Sequence, residues 1–186
     1  MDLKQLWDGG FAFADFVADA APEHRALWEG VYRSARVPQW ALTPPAEERK
    51  LLVLAEDWCI DTSSTLPVLA RWVEAVPGLE LRILKRDEHP ELMNRYLTDG
   101  TRSIPVVIIL DREYHELWHW GPYAAPLHAW VREHKPPVLE KAEYVKGKRT
   151  WYAHDHGETT IREIMALLNG QPVVPAIDGL TSPALP

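Results

Sequence analysis

The apolar positions fall into blocks whose period changes along the chain. Leu51-Leu52-Val53-Leu54-Ala55 is a short continuous apolar run, the pattern of a strand covered on both faces. A helical face follows, carried by Thr65, Leu66, Val68, Leu69, Trp72, Val73 and Val76 and ended by Pro77-Gly78. Leu79 to Leu84 supplies a second strand, and strand, helix and strand at this length predict a right-handed crossover with the two strands parallel. Asp87-Glu88-His89-Pro90 reads as a helix start with Leu92, Met93, Tyr96 and Leu97 as its buried face, and Thr98 to Ser103 as a loop. Pro105 to Leu110 is the most apolar strand, Asp111-Arg112-Glu113 a turn, and Tyr114 to Trp120 the returning partner strand. Trp118 and Trp120 alternate onto one face and are expected to pack in the core or under a helix. Pro126, Leu127, Trp130 and Val131 mark a closing helix before Pro136-Pro137.

Helical signals flank this series. Phe13, Phe16, Val17 and Ala20 share a face after Gly9-Gly10, and Pro22 suits the first turn of a helix that packs through Leu27, Trp28, Val31 and Tyr32. A proline-rich connector, Val37 to Pro45, leads into the first strand. Beyond the closing helix, Val138 to Tyr144 and Thr160 to Leu168 read as two more helices, Lys146-Gly147-Lys148-Arg149 as a solvated basic loop between them, and Gly170 as a stop. The chain thus divides into an N-terminal helical extension (1–47), an α/β domain (48–135), a C-terminal helical appendage (136–170) and a proline-rich tail expected to be disordered (171–186).

Composition narrows the classes. A net charge of −7 over 186 residues argues against nucleic acid as a partner, which calls for a basic face. No window approaches the roughly 18 apolar residues of a membrane span, and Met1-Asp2-Leu3-Lys4 does not open a secretory signal, so no membrane role and a cytoplasmic location are expected. The single cysteine, Cys59, allows no internal disulfide and fits a reducing compartment.

Cys59 lies where the first strand passes into its helix, in Glu56-Asp57-Trp58-Cys59-Ile60-Asp61-Thr62. Pro67 follows it by eight residues, Ile104-Pro105 opens the apolar strand, and Gly121 follows Pro105 by sixteen. Over residues 48–134 this set resembles the thioredoxin superfamily. The resemblance implies a thioredoxin-like α/β fold, a central mixed β-sheet flanked by helices, with a cis Pro105 facing Cys59 and substrate held by Trp58, Pro105 and the backbone of Ile104. Only X-Pro bonds adopt cis at a cost as low as about 0.5–1 kcal/mol, although spacing alone leaves a trans proline opening an edge strand equally open. Two positions depart from the family: Thr62 replaces the second cysteine, and Val53 replaces the buried acid that serves it. A dithiol cycle is therefore excluded.

What remains is one thiol at a helix start. The helix terminus favours its thiolate by ~0.3–1 kcal/mol, while Glu56, Asp57 and Asp61 oppose it by a comparable amount, since one pKa unit is about 1.4 kcal/mol. Thr62 reads equally as a hydroxyl donor to the sulfur and as a first-turn capping residue. Asp57 and Asp61 read more readily as solvated acids at a helix start than as relays. The expected function is monothiol thiol–disulfide exchange by Cys59 and Thr62 on a disulfide-bearing protein or a small-thiol mixed disulfide. It needs no bound cofactor, and glutathione or another small thiol would act as external reductant. The alternatives are a redox-silent peptide- or partner-binding module and a thiol redox sensor. His154-Asp155-His156 has no further ligands at an established spacing, so no metal site is expected.

Overall fold

Six of the seven residues of β1 (Arg49–Ala55) are buried, as a strand covered on both faces must be. The computed structural model, which describes residues 1–171, pairs β1 in parallel with β2 (Leu79–Lys85) and antiparallel with β3 (Val106–Leu110). β3 pairs antiparallel with β4 (Glu116–Trp120), and the sheet order is β2-β1-β3-β4. The helices are α1 (Leu3–Asp8), α2 (Phe13–Asp19), α3 (Pro22–Ser34), α4 (Ile60–Ala75), the single turn α5 (Pro90–Met93), α6 (Ala125–His134), α7 (Lys141–Asp155) and α8 (Glu158–Leu168). This is the thioredoxin-like mixed sheet with flanking helices that the resemblance implied. Of the tail expected over 171–186, residues 172–186 lie outside the described residues.

Alternation along β1 and β3 divides the core in two. Leu51, Val53, Ala55, Val107 and Ile109 face a large cluster containing Phe16, Trp28, Leu66, Leu69, Trp72, Leu127, Trp151, Ile161 and Ile164. Leu52, Leu54, Val106, Ile108 and Leu110 face a smaller one with Trp7, Leu92, Met93, Tyr96 and Ile104. The flanking helices therefore complete the core. Phe11 exchanges two backbone hydrogen bonds with Ile83, 2.8 and 2.9 Å, on the outer side of β2, so the N-terminal segment covers that sheet edge. At the other end Glu163 of α8 accepts from Trp120 Nε1 at 2.6 Å and from the Ala125 N–H at 2.8 Å, tying α8 to β4 and to the first turn of α6.

Four expectations are corrected. Lys146 to Arg149 is no loop: these residues lie inside α7, with Lys148 only 7% exposed. Trp120 is buried but Trp118 is 41% exposed, because β4 is an edge strand that α8 meets at its Trp120 end. Leu27 is half exposed beside the fully buried Trp28, and Leu97, beyond the short α5, is exposed as well.

Two glycines mark close approaches. Gly121 has φ +125°, and a Cβ there would overlap the Pro105 carbonyl oxygen, so the end of β4 lies directly on the Pro105 loop only because this residue has no side chain. Gly147, in the middle of α7, lies where a Cβ would come within 2.5 Å of two Trp130 ring carbons. Trp130 cannot easily yield, since its ring stacks on His134 at 4.6 Å and on Tyr144 at 5.7 Å. Helix propensity favours Gly147→Ala by up to about 1 kcal/mol. Overpacking opposes it by roughly 1–3 kcal/mol, so the substitution should destabilise the protein. A urea titration checks this, and a midpoint at or above that of the wild type would show that Trp130 does not fix α7.

Candidate functional site

Cys59 is the N-cap of α4, and its carbonyl accepts the Ser63 N–H at 2.9 Å. Strand β1 ends at Ala55, and a tight turn closed by the Cys59 N–H on the Glu56 carbonyl, 3.2 Å, brings the thiol to the first turn of the helix. The thiol is partly buried, and Sγ lies 3.7 Å from the carbonyl oxygen of Ile104. The Ile104–Pro105 bond is cis. Ile104 is 4% exposed, its side chain packing in the smaller core cluster. What that residue presents to Cys59 is thus its backbone carbonyl.

Thr62 stands one turn along α4, and its hydroxyl is buried without a hydrogen-bond partner among the described residues. It lies close enough to the sulfur to favour the thiolate, yet forms no hydrogen bond of good geometry with the resting thiol. Burial raises the Cys59 pKa above its ordinary value and the Asp61 charge adds to the rise. The Thr62 hydroxyl and the N–H groups of Asp61 and Thr62 oppose it without overcoming it. The balance that the sequence left open therefore falls on the side of the protonated thiol.

The acids before the cysteine are clamps. Asp57 accepts from the Ala21 N–H at 2.7 Å and pairs with His24 Nδ1 at 3.0 Å, while the Trp28 indole donates to its carbonyl at 2.9 Å. Burial alone would raise the Asp57 carboxyl, but these hydrogen bonds and the His24 partner outweigh it and hold the group below its ordinary value. The N-terminal extension is so fastened to the turn that carries Cys59. Glu56, pushed up by burial, accepts the Asp87 N–H at 2.8 Å and holds the segment after β2. Trp58 is 50% exposed and lies under the Arg86 guanidinium, 4.9 Å from its ring centre.

Sequence reasoning missed a buried polar cluster on the other flank of the first turn. Asp61, expected to be a solvated acid, is 6% exposed. Its Oδ2 accepts from Lys148 Nζ at 2.6 Å and its Oδ1 from the Tyr152 hydroxyl at 3.1 Å. The Lys148 ammonium also lies 5.0 Å from the Tyr144 ring centre and 5.5 Å from that of Tyr123. Burial pushes the Asp61 carboxyl up, with Lys148 and Tyr152 pulling it back. Burial likewise raises Tyr123 and Tyr152 above their ordinary values, and the Asp61 charge reinforces both shifts. The signal was present: Tyr144, Lys148 and Tyr152 recur every four residues, one face of a helix. Gly147 inside a basic run hid it by reading as a loop.

Among the described residues no three His, Cys, Asp or Glu side chains are grouped to hold a metal ion, and no helix is long and apolar enough to cross a membrane. His154 and His156 are both exposed at the end of α7.

Comparison with curated proteins finds no match. Among solved structures, a protein of unknown function from Pseudomonas aeruginosa superimposes with a TM-score of 0.72 at 22% identity, covering 91% of this chain and 98% of its own. An HIV epitope-scaffold gives a TM-score of 0.71 at 21% identity, covering 91% and 99%. At such identities the likeness is one of fold, and coverage of this extent takes in the flanking helices as well as the sheet. A thioredoxin family model matches residues 10–139, a span that holds Cys59, Thr62, Pro105 and Gly121 together, and the chain belongs to the thioredoxin family.

Proposed function

We propose that the protein carries out monothiol thiol–disulfide exchange through Cys59. The observation that supports this most directly is the placement of Sγ at the N-terminus of α4, 3.7 Å from the Ile104 carbonyl and beside cis Pro105, with the Thr62 hydroxyl buried next to it and unpaired among the described residues. Helix N–H groups and a spare hydroxyl donor are the groups that a developing thiolate uses. The substrate is a mixed disulfide, R–S–S–R′, between a protein and a small thiol. The Cys59 thiol gives up its proton, and the thiolate attacks one sulfur. The S–S bond breaks, R′S⁻ leaves and takes up a proton, and Cys59–S–S–R forms. A second small thiol, RSH, attacks that adduct, yielding RSSR and the free Cys59 thiol. The net reaction, R–S–S–R′ + RSH → R′SH + RSSR, needs no second cysteine in the chain. Trp58 and the Ile104–Pro105 backbone border the place where the disulfide would lie, and glutathione is the simplest external thiol. A reducing, cytoplasmic compartment would supply it.

One observation favours a second reading. The raised Cys59 pKa leaves little thiolate at neutral pH, which suits a redox-silent member of the family that holds a partner in the same groove.

The readings separate in a kinetic assay with glutathione and a cysteine–glutathione mixed disulfide. Exchange should be turned over by the wild type and lost in Cys59→Ala, and equal background rates in the two would leave only the binding module. Because the thiol pKa is raised, the thiolate fraction and hence the rate should climb about tenfold per pH unit from neutrality upward, without a plateau below the ordinary thiol value. A plateau near pH 7 would contradict the burial of the thiol. Thr62→Val keeps the volume and removes the hydroxyl, so it should slow the reaction at pH 8 by roughly 3–10-fold, the worth of one ordinary hydrogen bond of about 0.5–1.5 kcal/mol. An unchanged rate would assign Thr62 to helix packing alone.

A further inference from the structure

We infer that Lys148, supplied by the C-terminal helix α7, is a positioning residue of the Cys59 site: its buried ammonium cancels the Asp61 carboxylate, so that negative charge can develop on the thiol two residues away. The inference rests on Cys59 being reactive, and extends the site to a segment outside the sheet and its crossover helix.

Geometry carries it. Lys50 and Lys148 are the lysines buried among the described residues, and they have different surroundings. Lys50 pairs with Glu80, itself half exposed, across the β1–β2 ladder. Lys148 meets a carboxylate as buried as itself, at 2.6 Å, and reaches it from 87 residues along the chain. Enclosing an ion pair sacrifices hydration of both partners, and well-packed apolar residues often serve the fold as well or better. A purely structural role for the pair is thus weakly motivated. Its position next to the thiol supplies another.

The charged and titratable groups around Cys59 can be named. Asp61 lies on the same helix. Tyr123, which precedes α6, is coupled to both the thiol and Asp61. Tyr144 and Tyr152 come with Lys148 from α7. Burial raises Tyr123 and Tyr152, which keeps both hydroxyls neutral beside the thiol. Glu56 and Asp57 are engaged by Asp87 and by His24 and Ala21. Lys148 is then the one cation among these neighbours that faces Asp61. The 2.6 Å ion pair with Lys148 favours the carboxylate form of Asp61, so the Cys59 thiol loses its proton beside that charge. With Lys148 in place that charge is balanced. Without it, the thiolate must form beside a bare buried anion.

The test is the second-order rate of Cys59 alkylation by iodoacetamide as a function of pH, on the full chain, for wild type, Lys148→Met, Lys148→Arg and Asp61→Asn. Lys148→Met should move the profile up by about one pH unit, a roughly tenfold loss of rate at a fixed pH below it, and Asp61→Asn should move it down by a similar amount. Lys148→Arg, which keeps the charge, should lie close to wild type. Loss of packing would instead expose the thiol, speed alkylation at every pH and lower the midpoint toward the ordinary thiol value, opposite to the shift expected of Lys148→Met. Profiles of Lys148→Met and Asp61→Asn that both stay within 0.3 unit of wild type, or that shift in the same direction, overturn the inference. If circular dichroism shows Lys148→Met unfolded, the Asp61→Asn/Lys148→Met double variant, which leaves no buried charge, is compared with Asp61→Asn: a profile at higher pH in the double variant supports the role of the ammonium, and coincident profiles refute it. Alkylation needs no disulfide substrate. Absent turnover would therefore sink the exchange reaction while leaving this measurement intact, and an unmoved profile would sink the role of Lys148 while leaving exchange intact.

Discussion

Burial of β1 on both faces is the constraint from which the rest of the molecule follows. Leu51, Leu52, Val53, Leu54 and Ala55 are all 0% exposed, and a large apolar side chain removed from water contributes about 1.5–3 kcal/mol. That gain exists only if both sheet faces are covered. One cover is small and local, made by Trp7 and the segment around α5. The other is large and needs α2, α3, α4, α6, α7 and α8 together. The helices that lie outside the sheet and crossover are thus required by the strand that ends at the cysteine. The turn that carries Cys59 is held in place by this arrangement. It follows a strand covered on both faces and is gripped on one side by His24, Ala21 and Trp28 and on the other by Lys148 and Tyr152.

Much of this was legible in the sequence, for a physical reason. The strand, helix and strand order rests on period and on buried runs, which local side-chain chemistry dictates, and Ile104-Pro105 and Gly121 are backbone devices that few other residues can replace. Pro22 at the start of α3 and the apolar face of α2 followed from the same reasoning. The thiol, the buried Thr62 and the cis proline come together in space as the family resemblance implied.

The misses share a cause. Whether a charged residue is solvated or buried depends on what approaches it from elsewhere in the chain, and neither Asp61 nor Lys148 carries that information locally. Asp61 at a helix start has an adequate local explanation in the helix dipole, which is why its solvated reading was preferred. Lys148 sat in a run of cations that reads as a loop, and only the four-residue recurrence of Tyr144, Lys148 and Tyr152 pointed to a helix with a polar buried stripe. Gly147 resolves the apparent contradiction: it is glycine because Trp130 occupies the space of its side chain, and the helix runs through it. Trp118 is the reverse case. Alternation correctly placed it on the face of Trp120, but on an edge strand one face need not be covered along its whole length.

The electrostatics of the turn then explain how a lone thiol can belong to this family without a second cysteine. In a dithiol site the partner cysteine completes the reaction, and the local field has only to favour the first attack. Here the corresponding position is a threonine, so the chain can contribute a hydrogen bond but no sulfur, and in the proposed exchange release of the adduct would depend on a thiol arriving from solution. A strongly depressed pKa would make Cys59 a good leaving group and a weak nucleophile, whereas a raised one makes the thiolate scarce but intrinsically more nucleophilic. Burial of Cys59 and the Asp61 charge set the second condition, and the role inferred for Lys148 is to limit how far it goes. A thiol kept protonated until a disulfide lies against the Ile104 carbonyl and Pro105 is also protected from adventitious oxidation, since the thiolate is the form that oxidants attack. On the inference drawn for Lys148, the same buried pair that docks the C-terminal helix would also set how readily the Cys59 thiol reacts.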